Sequence, residues 1–486
     1  MNDHTYSVRI EKVEPRKNAQ GKVTSYRVRW TVEGKEWKES FKLSAQADAF
    51  RAELLTAAKQ GEAFTLSTGR PVSQTRQESG PTWYVVALNY VDSKWPYASP
   101  NHRRGIAESI TDATEALLSS QSGAPSRREL RTAMLWATST RIQASKSAPP
   151  AGIAETLGWL ERNTVRMTAF TEPKTGAALS RSVLDRISRK QDGSLAAART
   201  ALRKRAVLNN LMGYAIESDV LVANPLKAVK WTRPKTSEQV DVRTVLNTDQ
   251  AQRFLTAVSQ LGDMGARLEA FFGCMYYAAL RPEEVIALLR TDLADLPETG
   301  WGEMRLAESE PAPGKRWTAN GKSRERRELK HRPIGATRPV PIHPELVALL
   351  RRHLETFPNT SGYVFRGPRG GTISDSTYLP YFRKARTAAF TEAEAASPLA
   401  AVPYALRHAA VSTWLNAGVP ATQVAEWAGH SLEVLLRVYA KCIVGQDTEA
   451  KRRILEATSP AKTEKAKGNQ REKMPPGEPE EQGEAP

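Results

Sequence analysis

Four short runs in the second half of the chain combine arginine, histidine and tyrosine in a way suited to work on a phosphate: LRPEEV at 280–285, LRH at 406–408, AGH at 428–430 and VYAK at 438–441. An apolar stretch, FFGCMYYAAL, ends at Leu280, and Pro282 with Glu283 and Glu284 opens a new helix, since proline suits the first helical position and acids suit the first turn. Arg281 therefore stands where the helix dipole disfavours a cation unless an anion binds there. The ordinary alternative is an ion pair with Glu284, three residues on. The same grammar recurs at VPYALRHAAVSTWLNAG, where Pro403 can begin a helix that Gly418 ends, with Arg407 and His408 in its first turns. Two guanidinium forks near two helix starts could hold the two non-bridging oxygens of one phosphate, if the fold brings them together.

Between 420 and 443 a short helix runs into Gly429-His430, and Ser431 caps the next helix with Glu433 in its first turn. His430 lies at that junction. On the second helix Leu432, Leu435, Leu436 and Tyr439 fall on one face, so Tyr439 taken alone reads as a core aromatic.

The order of these runs is what distinguishes them. LRPEEV, LRH, AGH and VYAK together resemble the catalytic domain of the tyrosine recombinase (phage integrase) family, which orders an arginine, a lysine, a His-x-x-Arg, a Gly-His and a nucleophilic tyrosine. The spacing 439 − 430 = 9 matches the family, and Glu284 supplies the acid often found three residues after its first arginine. The resemblance covers residues 240–457, and more loosely the helical segment before them. It implies Tyr439 as nucleophile, with Arg281, Arg407 and His430 around the phosphate. For the lysine it points to Lys330, eight residues before Arg338 and the strand RPVPI; Lys322 and Lys315, on the same long insertion, remain alternatives. One position departs from the pattern. Tyr404 stands where the family has the histidine of His-x-x-Arg, and a phenol can donate a hydrogen bond but does not carry a proton at neutral pH as imidazole can.

The implied chemistry is attack of the Tyr439 oxygen on a DNA phosphodiester, giving a covalent 3′-phosphotyrosine and a free 5′-hydroxyl, with Lys330 protonating the leaving oxygen. It needs no cofactor, neither ATP nor a metal. The implied partners are double-stranded DNA attachment sites, three further copies in a homotetramer, and in such systems a host DNA-bending factor and an excisionase. The function it implies is integration, and with a helper excision, of a phage or mobile element. Alternatives are a tyrosine transposase or resolvase with the same chemistry, a type IB topoisomerase, and a catalytically decayed DNA-binding regulator.

Around these residues the chain must supply positioning elements. Its 486 residues exceed one compact core and suggest about three domains. Lys plus Arg number 70 against 53 Asp plus Glu, and 70 − 53 gives a net charge of +17, an excess that favours a polyanion. Two distant cysteines, Cys274 and Cys442, offer no disulfide framework and no zinc knuckle, so a reducing cytoplasm is the expected location. Nothing resembles a secretory signal or a membrane span.

The fold class expected is multidomain: a small β-sheet plus helix, an all-α domain, and a mixed, mainly α catalytic domain. The first, 1–68, alternates as three strands over residues 6–42 and continues into a helix from Ser44 that Gly61 stops. Its strands carry Arg9, Lys12, Arg27, Arg29, Lys35 and Lys38, which suit either an arm-type DNA contact or a solvated sheet face. The second, 76–232, is a core-binding type of helical domain; its last helix bears Arg199, Arg203, Lys204 and Arg205, read as a phosphate-facing or a merely solvated surface. After the break at 231–239 comes the catalytic domain, 240–458. The polar stretch 459–486 is expected to be a disordered tail.

Overall fold

A computed structural model describes residues 3–72, 74, 80–236, 239–329, 333, 335–442 and 447–458. Lys330 and the tail from residue 459 lie outside the described residues.

At the N-terminal end come β1 (His4–Thr5), β2 (Val8–Ile10), β3 (Glu14–Lys17), β4 (Val23–Val32), β5 (Lys35–Phe41), α1 (Ser44–Lys59) and β6 (Phe64–Thr65). Strand β4 is the axis of the sheet. On one edge it pairs with β5 through a tight turn at Glu33-Gly34, both at positive φ (47° and 79°) as such hairpin turns require. On its other edge β2 and β3 lie end to end, Val8 opposite Val32 and Glu14 opposite Arg27. The first of the three strands expected over residues 6–42 is thus interrupted between Ile10 and Glu14. Alternation along β4 puts Val28, Trp30 and Val32 against Ala47, Leu54 and Ala57 of α1 in a small core. The opposite face carries Arg9, Arg27, Arg29 and Lys38, and interleaves them with acids: Arg29 reaches Glu11 at 3.2 Å and Glu14 at 3.7 Å.

The helical part follows as α2 (Trp83–Lys94), α3 (Pro100–Ala116), α4 (Arg127–Ala137), α5 (Thr140–Ser145), α6 (Ala151–Asn163), α7 (Pro173–Ile187) and α8 (Ala198–Glu217). Local signals set its helix starts: Ser99 caps α3 ahead of Pro100, and Ser126 with Glu129 forms a reciprocal box at α4. Helix α3 is central, burying Ile106, Ala107, Ile110 and Ala113 against α4, α7 and α8. The cations of α8 do not form one outward face. Lys204 is buried in an ion pair with Asp112, which also takes Arg131 at 2.5 Å and Arg186 at 3.2 Å. Arg203 pairs with Glu108 at 3.4 Å, and Arg205 lies over the Trp231 ring at 4.9 Å. Lys204 therefore serves the core, because an ionised Asp112 could not be buried without partners.

The last part comprises α9 (Thr248–Ser259), α10 (Gly262–Tyr277), α11 (Pro282–Ala287), β7 (Leu293–Asp295), β8 (Gly302–Leu306), β9 (Glu308–Ser309), β10 (Arg327–Glu328), β11 (Arg338–Ile342), α12 (Pro344–Thr356), α13 (Asp375–Ala389), α14 (Glu392–Ala396), α15 (Tyr404–Asn416), α16 (Ala421–Ala428), α17 (Leu432–Tyr439) and α18 (Asp447–Thr458). The second half of helix α10, from Ala270 to Tyr276, is buried on all sides, as befits a core helix, and the helix packs against α9, α12 and α15. An antiparallel sheet, β11–β8–β7, flanks it. The small hairpin β9–β10 carries the long insertion, which crosses to the helical part: Trp317 packs edge-on to Trp95 at 6.4 Å, its carbonyl accepts from Arg103 at 3.3 Å, and the Arg316 carbonyl accepts from the Thr140 amide at 2.8 Å. Cys274 and Cys442 are free and buried. Among the described residues no helix is long and apolar enough to cross a membrane.

Candidate active site

Three helix ends meet at one point. Helix α10 closes through Ala279, at φ 50°, with the Leu280 amide bonded back to Cys274 at 3.2 Å. A left-handed alanine is uncommon where glycine is usual, and here it presents the Ala279 carbonyl to Arg407. Helix α16 closes through Gly429, φ 64°, with the His430 amide on Ala425 at 2.9 Å. Its last carbonyls face the two arginines: Ala428 accepts from Arg407, and Gly429 from Arg281 Nη2 at 3.1 Å. Cations at a helix C-terminus are favourably placed.

Arg281 caps the six-residue α11, and both readings of it coexist. It is held by Glu284, Nη1 to Oε1 at 2.7 Å, while Glu284 Oε2 accepts from the Arg281 amide at 2.9 Å. Glu284 is not Arg281's alone. Arg338 grips the same carboxylate through Nη1 and Nη2, and Arg407 Nη1 lies 3.9 Å from it. Burial alone would raise the Glu284 pKa, but Arg338, Arg281 and Arg407 hold it well below the usual carboxylate range. One negative charge thus faces three positive ones.

Several donors in this cluster lack partners. Arg407 Nε, Arg338 Nε and His430 Nδ1 are buried without a hydrogen bond. His430 Nε2 is 2.9 Å from Arg407 Nη2; since guanidinium can only donate, that nitrogen accepts and the proton belongs on Nδ1. Burial and then Arg407, Arg281 and Arg338 push the His430 pKa down to about 3, so it is neutral. An excess of positive charge with unpaired buried donors is the polarity of an anion site.

Tyr439 ends α17, whose start Ser431 caps by accepting from the Val434 amide at 3.3 Å. The leucine face divides: Leu435 and Tyr439 are buried, whereas Leu432 and Leu436 are exposed. The Tyr439 ring lies 5.9 Å from His430, and its hydroxyl is 2.9 Å from His408 Nδ1. Burial raises its pKa above the ordinary value, so the phenol is protonated at neutral pH. Burial and Arg407 push His408 down to about 4. Tyr404, one turn before His408 on α15, stands edge-on to it at 5.0 Å and lies 5.8 Å from the Arg407 guanidinium. The residue before Tyr439, Val438, is tied by its carbonyl to the Val240 amide at 2.9 Å.

The structure thus brings Arg281, Arg407, His430, Tyr404 and Tyr439 into one cluster, and adds His408 and Arg338. In the sequence Arg338 marks only the start of the strand RPVPI. Its signal was available: in β11 it shares the inward period with Val340 and Ile342, an arginine where an apolar residue is due.

The chain is similar to known proteins over the segment that holds these residues. The phage integrase family model matches residues 244–442. A tyrosine recombinase XerC-like protein of Caldanaerobacter subterraneus subsp. tengcongensis is 26% identical over 261 residues, which are 50% of this chain and 62% of that protein. The chain therefore spans less than two thirds of that relative's length. Among solved structures, the Tn1549 transposon integrase in complex with transposon right end DNA is 16% identical, covering 67% of this chain and 98% of its own, with a TM-score of 0.45. The XerH site-specific recombinase bound to difH substrate is 14% identical, covering 78% and 96%, with a TM-score of 0.44. The segment 244–442, which holds Arg281, Arg407, His430 and Tyr439, is thus similar to the tyrosine recombinase, or phage integrase, family.

Proposed function

We propose that the chain is a site-specific DNA recombinase that cleaves and rejoins DNA through a 3′-phosphotyrosine at Tyr439, integrating a phage or mobile element. The observation that carries this reading is the cluster of three guanidiniums around one carboxylate, with unpaired donors on Arg407 and His430, beside a buried tyrosine. A scissile phosphate would supply the missing negative charge. Arg281 and Arg407 would take its non-bridging oxygens, and His430 Nδ1–H would donate to a non-bridging oxygen of the pentavalent phosphorane as charge builds. Tyr404 would position the phosphate through its hydroxyl. Lys330 would protonate the leaving 5′-oxygen.

In the same reading, 1–68 is an arm-binding domain, 76–232 a core-binding domain and 240–458 the catalytic domain, with 459–486 a tail. The sheet face with Arg9, Arg27, Arg29 and Lys38 would give the arm contact, tempered by Glu11, Glu14 and Glu36 on the same face. Four copies would act on two attachment sites, with a host bending factor and an excisionase setting direction.

The test is a nicked suicide substrate built from the element's junction DNA. Wild-type protein becomes covalently linked at Tyr439, and Tyr439→Phe does not; equal trapping by Tyr439→Phe overturns the nucleophile assignment. Arg407→Ala nearly abolishes cleavage, whereas Tyr404→His keeps a substantial part of it. Full activity of Arg407→Ala would remove the basis for the phosphate clamp.

A further inference from the structure

Position 404 carries a phenol, so a base on that side of the nucleophile has to come from elsewhere. We propose that His408, one helical turn further along α15, is the group that takes the proton from the Tyr439 hydroxyl as it attacks. This rests on the recombinase reading of the site.

The geometry singles out this imidazole. His408 Nδ1 is 2.9 Å from the Tyr439 hydroxyl, within the reach a general base requires. Residues four apart on a helix share a face, and the rings of Tyr404 and His408 touch edge to face at 5.0 Å. His408 thus reaches the nucleophile from the helix turn next to the phenol that fills position 404. Tyr439 is protonated, so its O–H donates and Nδ1 accepts, which places the His408 proton on Nε2.

The other imidazole cannot serve. The lone pair of His430 Nε2 already accepts from Arg407 at 2.9 Å, which leaves Nδ1 as a donor without a partner. The two histidines therefore divide the work: His430 donates toward the phosphate and His408 accepts from the tyrosine. Their surroundings agree with the division. His430 faces Arg407, Arg281 and Arg338, whereas Arg407 is the charge that acts on His408.

The step balances. The Tyr439 proton passes to His408 Nδ1, the phenolic oxygen forms its bond to phosphorus, and the phosphorus–5′-oxygen bond breaks. The leaving oxygen takes a proton from Lys330. On rejoining, the incoming 5′-hydroxyl gives its proton to Lys330, its oxygen displaces the tyrosine, and His408 returns the proton to Tyr439.

A leaving group that needs no proton separates the two ends of this transfer. The full-length protein is assayed on junction DNA in two forms, one normal and one with sulfur in place of the scissile 5′-oxygen. His408→Asn, which retains an acceptor atom but cannot take a proton, is expected to bind DNA as wild type does. It should cleave about 10²- to 10⁴-fold more slowly on both substrates, while Lys330→Ala regains cleavage on the sulfur substrate. Cleavage by His408→Asn within about threefold of wild type overturns the proposal, as does its rescue by sulfur, which would place His408 at the leaving group. Should His408→Asn fail to fold, His408→Gln takes its place with the same outcomes. If wild-type protein forms no covalent adduct on either substrate, the recombinase reading itself fails, a result distinct from normal cleavage by the His408 variant.

Discussion

Arg338 and Glu284 meet through both guanidinium Nη atoms and both carboxylate oxygens, at 3.0 and 2.8 Å, with side-chain exposures of 1% and 2%. Neither residue is near the other in sequence, and both are deep in the protein, so each depends on the other to be charged there. Arg281 joins the same carboxylate at 2.7 Å and Arg407 approaches it at 3.9 Å. Glu284 is therefore the anchor that holds three arginines together.

Replacing Glu284 by Gln leaves those arginines mutually repelling in a buried site. The expected cost is about 3–5 kcal/mol of stability. On the proposed function, in which a DNA phosphate joins this cluster and can stand in for the missing charge, DNA should raise the melting temperature of Glu284→Gln by more than it raises that of wild type. Thermal unfolding with and without DNA measures both, and an equal DNA-induced shift in the two proteins contradicts the shared-anchor picture.

Gly429 is the second fixed point. It sits at φ 64°, and a methyl group there would lie 2.2 Å from Arg338 Nη1. Gly429→Ala must therefore strain the backbone and push Arg338 off Glu284, displacing His430 next to it. A loss of about 1–3 kcal/mol is expected, with cleavage falling more than DNA binding. Urea denaturation and a filter-binding assay check the pair of effects; unchanged cleavage would show that the α16–α17 joint tolerates a side chain.

Trp317 reaches from the insertion into the core of the helical part, where it is 6% exposed and joins Trp95 and Arg103. Truncating a buried tryptophan typically costs about 3–5 kcal/mol, and here the loss falls on the contact between two parts of the chain. Trp317→Ala should make the insertion sensitive to trypsin at Lys315, Arg316 and Lys322 in DNA-free protein. Cleavage at wild-type rates would mean that the insertion is held by its other bonds.

Acid should loosen the molecule before its carboxylates are protonated. Burial pushes His353 and His408 down to about 4, and His430 to about 3, from an ordinary 6.5. The unfolded chain then binds more protons than the folded one between those values, so the stability these groups give is complete above pH 6.5. It is lost progressively as pH falls toward 4. Glu284, held low by its arginines, stays ionised over that window. His353 lies away from the site and bonds the Val364 carbonyl at 3.1 Å, so His353→Gln should flatten the pH dependence without touching cleavage. Urea midpoints at pH 7 and pH 5 measure this, and equal slopes for variant and wild type would exclude His353 as a contributor.

Much of the site was legible because its signals are local. Pro282 after Arg281, Pro403 before Arg407, Gly429 before His430 and Ser431 before α17 each mark a helix end through backbone rules that hold in any context. The order and spacing of those marked residues were enough to name the chemistry and its nucleophile as a hypothesis. What the sequence could not supply is the convergence of charges distant along the chain. That Arg281, Arg338 and Arg407 share one carboxylate follows from the packing of α11, β11 and α15, and the burial of Lys204 against Asp112 rather than on an outer face follows from that of α8 on α3. The division of labour between the histidines is decided in the same way. His408 and His430 differ in role because Arg407 occupies the lone pair of one and leaves that of the other to Tyr439, a difference set by hydrogen-bond geometry across helices.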